Sequence, residues 1–145
     1  MSEMREIFHL VYVSTAREAY DRSALDELLI QARSRNERLN ITGLLIYGDE
    51  TFIQALEGRR GLVSDVYESI KRDARHHQVI TLLEFTDTER DFPDWTMAFT
   101  HEPDRERIKR CITLLKEQRE DLAQGVEIQM IRRLLTNIMS SAIET

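Results

Sequence analysis

Two apolar runs, Ile41 to Tyr47 and Thr51 to Glu57, stand on either side of Gly48-Asp49-Glu50, and this arrangement constrains the chain more than any other. Turn-forming residues between two such runs predict a β-hairpin. Its second arm holds an anomaly. Phe52-Ile53-Gln54-Ala55-Leu56 is apolar on both faces except at Gln54, which alternation puts on the side of Phe52 and Leu56. A buried primary amide carries two donors and an acceptor, and leaving these unpaired costs about 1–3 kcal/mol. Backbone or another side chain can satisfy Gln54, and so can a ligand; this strand by itself leaves both readings open.

The elements around the hairpin follow from the same patterns. Ile7 to Ser14 reads as a strand with Phe8, Leu10, Tyr12 and Ser14 on one face. Ser23 is the expected N-cap of a helix running to about Asn36, with Asp26 and Glu27 in its first turn. Its apolar stripe is Leu25, Leu28, Leu29 and Ala32, and the next position in that series is Asn36, a polar residue where a core one is expected. Leu62, Val63, Val66 and Ile70 mark a second helix ending near Asp73. Val79 to Phe85 predicts a fourth strand and Thr96 to Thr100 a fifth. The order βαββαβ with one further strand predicts an α+β, ferredoxin-like sheet with two helices on one face. From Pro103 the stripes Ile108, Cys111, Ile112, Leu115, Leu122 and then Ile128, Ile131, Leu134, Leu135, Ile138, Ala142 predict a C-terminal two-helix hairpin broken at Gly125.

Bulk properties exclude several classes of function. With 145 residues, 41% hydrophobic and 32% charged, the chain suits one soluble globular unit. The net charge is −6 with basic and acidic residues interspersed, so the footprint of a nucleic-acid binder is missing. The N-terminus Met1-Ser2-Glu3-Met4-Arg5-Glu6 is charged, and no run approaches the roughly 20 apolar residues that span a bilayer, so a cytoplasmic, membrane-free location is expected. Cys111 is the only cysteine; it falls on an apolar stripe and packing is its expected job.

Tyr12, Asn36 and Gln54 come from three elements, and each is the polar member of an otherwise apolar face. If the first and third strands are neighbours, Tyr12 and Gln54 are adjacent beneath the helices, with Asn36 above them. A phenol and two amides in an apolar pocket match a flat heterocycle with alternating carbonyl and N–H groups; a polar network closed on itself is the other reading.

Taken in order, Tyr12-Val13-Ser14, then Asn36 leading into Asn40-Ile41-Thr42-Gly43-Leu44-Leu45-Ile46-Tyr47, then Phe52-Ile53-Gln54-Ala55-Leu56-Glu57-Gly58, then Asp73-Ala74-Arg75-His76-His77 and Phe92-Pro93-Asp94-Trp95-Thr96-Met97 resemble the BLUF family of flavin-using blue-light sensors. The likeness covers about residues 6–101, and the remainder is similar to the helical extension of short, stand-alone members. It implies FAD held non-covalently by residues 1–101, between two helices of a ferredoxin-like domain, with residues 102–145 serving output or oligomerisation. By motif position it implies Tyr12 and Gln54 as the photoactive pair and Asn36 at the flavin ring edge, with Ser14, Trp95 and Met97 in the same region. Arg75 and His76 match residues near the pyrimidine end of the ring and the ribityl chain, with Asp73 close by; Ala32, Arg35 and Phe52 complete the implied contacts. Ala32 stands where several members have a small polar residue and Arg35 where Asn or His is usual, departures that bear on flavin affinity.

In the mechanism the resemblance implies, light drives an electron and a proton from Tyr12 to the flavin, the Gln54 amide rearranges, and the change passes through the fifth strand and the C-terminal helices. No substrate is turned over. A separate output protein and a homodimer or higher homo-oligomer are the expected partners. Two other readings stand beside it: an assembly protein built on the helical hairpin, and a phosphohydrolase resting on Arg33, Arg35 and Asn36, which lacks a glycine-rich phosphate loop and a nucleophile with a base. His76-His77 lacks a third ligand at metal-binding spacing, and His9 and His101 read as structural or exposed. Glu84, Asp87, Glu89, Arg90 and Asp91 read as a solvated charge run.

Overall fold

The computed structural model describes residues 6–125 and 143–144. Strands β1 (Ile7–Ala16), β2 (Thr42–Gly48), β3 (Thr51–Gly58), β4 (His76–Asp87) and β5 (Ala98–His101) form one sheet in the order β4-β1-β3-β2-β5. All neighbours run antiparallel except β2 and β5, which are parallel. Among the described residues three helices accompany the sheet: α1 (Arg22–Leu39), α2 (Arg60–Arg72) and α3 (Arg105–Ala123). This is the ferredoxin-like α+β arrangement with a fifth strand, as the element order implies.

Alternation along the strands builds two cores. Leu10, Tyr12, Phe52 and Leu56 point to the face covered by Leu25, Leu29 and Ala32 of α1 and Val63, Val66 and Ile70 of α2. Val11, Leu44, Ile46, Ile53 and Ala55 point the other way, against Ile108, Cys111 and Leu115 of α3. The first C-terminal stripe therefore closes on the back of the sheet, and burial pushes the Cys111 thiol up to about 12. Gly125, at φ +80, ends the α3 segment in a conformation that glycine adopts freely. The second stripe of the expected hairpin, Ile128 to Ala142, lies outside the described residues. Glu144 meets the outer edge of β5, where it exchanges two 2.6 Å backbone bonds with Phe99, and its carboxylate takes both terminal nitrogens of Arg22 at 2.7 and 2.9 Å.

Several local expectations change. Asp21, not Ser23, caps α1: its carboxylate accepts the Ala24 amide at 2.8 Å, which leaves Asp26 and Glu27 beyond the first turn. The helix also runs past Asn36 to Leu39, ending at Asn40 in the left-handed region. Pro103 precedes the α3 cap, Asp104, and does not enter the first turn. The charge run is only partly solvated: Glu84 and Asp87 belong to β4, and Asp91 is buried. Gly43 is required by close approach, because a Cβ there would fall 2.0 Å from the Ala55 carbonyl oxygen. Among the described residues no helix is long and apolar enough to cross a membrane.

Candidate functional site

Tyr12 and Gln54 are direct partners in the β1–β3 register, and the Tyr12 hydroxyl donates to Gln54 Oε1. Both are buried. Burial pushes the Tyr12 phenol well above its ordinary range, opposed by the charge of Arg35, so the hydroxyl keeps its proton. The other end of the Gln54 amide is served differently. Its Nε2 donates to the Met97 sulfur at 3.6 Å, and a thioether is a weak acceptor. The buried amide thus has a well-engaged carbonyl and a donor end with capacity for a better partner.

Asn36 closes this region from α1. Its Nδ2 donates to the Thr96 carbonyl oxygen at 2.8 Å, while its Oδ1 accepts from Arg35 Nε at 3.1 Å. Arg33 Nε donates to the Met97 carbonyl oxygen at 2.8 Å, so two side chains of α1 hold the segment leading into β5. Arg35 is half-buried and burial lowers its pKa, the mark of a guanidinium drawn partly out of water. At the far end of the region Ser14 Oγ lies 3.0 Å from His76 Nδ1; burial lowers the His76 pKa and favours the neutral ring. Arg75 grips Asp73 with three side-chain contacts of 2.6–3.1 Å, and these hold the carboxylate well below its usual range, at about 2.

Between α1 and α2 lies a cavity of about 130 Å³. Its lining includes Tyr12, Ala32, Arg35, Phe52, Gln54, Asp73, Arg75 and His76, eight of the twelve residues expected at the site. Ser14 joins through His76, Met97 through Gln54, and Asn36 through Arg35 and Thr96. Trp95 is not brought to this group: it packs with the core behind the sheet and stacks on Phe92 at 5.8 Å between ring centres. Met97, 1% exposed, is the inward residue of the two. Leu28, Leu45, Ser69 and Ile70 also line the cavity and were not singled out in the sequence, where the three apolar ones read only as core. Ser69 lies four residues before Asp73 in the chain, a helical spacing that could have drawn attention to it.

Leu28 and Arg75 are shared with a larger cleft of about 490 Å³ that continues past Arg17, Tyr20 and Gln31. The donor set fits a flavin. Amides at Gln54 and Asn36 and a guanidinium at Arg35 match the carbonyl and N–H edge of its ring, Ala32 and Phe52 supply apolar surface, and the adjoining cleft is open to a polar chain.

Known proteins resemble the chain in sequence and in fold. Residues 7–98 match the family model BLUF, sensors of blue-light using FAD. The photoactivated adenylate cyclase subunit beta of Euglena longa is 36% identical over 90 residues, which is 61% of this chain and 10% of that protein. The chain thus spans about a tenth of the length of that relative. The dark-state structure of the BLUF protein BlrB superposes with a TM-score of 0.68 at 28% identity, covering 93% of this chain and 98% of that one. The photo-activated state of BlsA gives 0.70 at 25% identity, covering 96% and 98%.

Proposed function

The chain belongs to the BLUF family of blue-light sensors that use FAD, and from that membership we propose that it is a photoreceptor whose switch is the Gln54 amide. Tyr12, Gln54 and Arg75 would hold FAD non-covalently between α1 and α2. The observation that carries the reading is the division of Gln54, with its oxygen taken by Tyr12 and its nitrogen left to the Met97 thioether. A carbonyl at the ring edge is the stronger acceptor that the donor end lacks.

Bound oxidised flavin, when excited, supplies a strong one-electron acceptor. Tyr12 would supply an electron and then a proton and would recover both. The Gln54 amide would then lose the hydrogen bond that fixes its orientation and rearrange, by rotation or tautomerisation. Its new contacts would strengthen donation toward a ring carbonyl, with absorption moved to the red, and would change what Met97 feels. A primary amide suits this work, because its two ends exchange donor for acceptor in nearly the same shape. The altered contact biases β5 and the C-terminal helices, which needs only a few kcal/mol between two packings.

Residues 1–101 form the sensor and residues 102–145 the output extension, acting in the cytoplasm through a separate partner protein or through homo-oligomerisation. No enzymatic turnover belongs to these residues. Protein purified in the dark should be yellow with FAD, and blue light should shift its absorption reversibly to the red. A chain that cannot be loaded with FAD under any reconstitution condition is not the sensor described.

A further inference from the structure

A buried polar cluster interrupts the apolar back of the sheet. His9 of β1 and Glu57 of β3 stand opposite each other in register, Asp91 joins them from the loop after β4, and all three are buried. His9 Nδ1 lies 3.4 Å from Glu57 Oε1 and 3.7 Å from Asp91 Oδ2. Its Nε2 lies 2.9 Å from the Glu89 carbonyl oxygen, and its ring stacks on Phe85 at 4.4 Å. A carbonyl only accepts, so Nε2 carries a hydrogen. Two carboxylates face Nδ1, and a neutral ring donating from Nε2 has only a lone pair to offer them. The imidazolium serves both sides.

Glu57 does further work in the same cluster. Its Oε1 accepts the Asp91 amide at 2.7 Å, and its Oε2 accepts the Phe92 amide at 2.8 Å and the Thr42 hydroxyl at 2.6 Å. The remaining charged group is Arg90, which donates to Thr42 Oγ1 at 2.8 Å and to the Glu57 and Asn40 carbonyl oxygens at 3.2 and 2.8 Å. Glu57 is three residues along β3 from Gln54 and points to the opposite face. The segment from residue 91 to residue 97 is therefore fastened to one strand at both ends, by Glu57 at its start and by Gln54 through the Met97 sulfur at its end.

We propose that His9 is a positioning residue for the light switch: as an imidazolium it holds Asp91, and so sets the start of the segment that delivers Met97 to Gln54. Its functional half rests on the photoreceptor reading, whereas the proton and the loop contact do not. Nitrogen-15 spectra of the histidine rings in the full chain test that independent half. Both His9 nitrogens should carry hydrogen while the Asp91 and Phe92 amides are protected from exchange, and His9→Gln should lower that protection several-fold. In the FAD-loaded protein, His9→Gln should change the dark-recovery rate several-fold with the red shift retained. Asp91→Asn should change it in the same direction.

A His9 ring with one nitrogen lacking hydrogen, or a recovery rate that His9→Gln leaves unchanged, overturns the proposal. Ring signals that move on adding a chelator also overturn it, since they assign a metal cation to the three ligands in place of the proton. If the wild-type protein shows no red shift, the photoreceptor reading fails, and the ring and amide measurements still decide whether His9 holds the loop.

Discussion

The two faces of the sheet are made from alternate residues of the same strands, yet they are finished differently. Behind the sheet, Val11, Leu44, Ile46 and Ile53 meet the stripe of α3 in an apolar core whose polar inlay, at His9, Glu57 and Asp91, is closed on itself. In front, Tyr12, Gln54 and Asn36 sit among apolar neighbours beside a cavity, and part of their hydrogen-bonding capacity meets only a thioether. Packing that is completed specifies a structure, and packing left incomplete around satisfiable polar groups leaves room for a ligand. Substitutions on the two faces should separate accordingly.

The largest effect belongs to the front face. Gln54→Leu should abolish the light-induced red shift entirely while FAD stays bound, and Tyr12→Phe should do the same; difference spectra check both. Full retention of the shift in either variant would break the assignment of the switch. On the back face, Leu115→Ala should lower unfolding free energy by about 2–5 kcal/mol in denaturant titrations while leaving the size of the red shift unchanged. A changed spectrum there would mean that the two faces are not separable.

A smaller effect concerns the Tyr12 proton. Burial raises its pKa in the folded chain above the ordinary phenol value of about 10, so on raising pH the unfolded chain ionises first and stability falls from about that pH upward. Below it the contribution is fully present. Between pH 10 and 11 the wild type should lose about 1 kcal/mol more than Tyr12→Phe, read from paired denaturant curves. Equal losses would place the phenol in contact with water. The smallest expected effect is at the exposed Arg22–Glu144 pair: Glu144→Ala should leave the unfolding free energy nearly unchanged, with faster hydrogen exchange at the Phe99 amide as the sharper readout.

Much of the front face was legible in the sequence, because alternation makes Tyr12 and Gln54 the polar members of apolar faces, the α1 stripe leads to Asn36, and the element order allows the first and third strands to be neighbours. Other features depended on facts that are not local. Asp21 and Ser23 are both good caps two residues apart, and only the path of the preceding loop selects between them. The apolar stripe of α3 promised burial without naming the surface that would provide it. Asp91 hid in a charge run because its partners, His9 and Glu57, are distant in sequence. Trp95 and Met97 were both candidates for the inward place because alternation gives residues two apart the same face; both lie in the irregular segment before β5, and the smaller, more deformable residue is the inward one.

β5 has four residues and lies at the margin of the sheet, with β2 on one side and the Glu144 bridge on the other. A marginal strand can part from a domain without undoing its interior, so its opening free energy is set apart from that of the whole molecule. The proposed switch therefore reports to the shortest strand of the sheet, one whose Ala98 and Phe99 are nevertheless fully buried. On this reading a hydrogen-exchange hierarchy, with β5 opening well before β1 and β3, is the thermodynamic form of an output line kept separate from the scaffold.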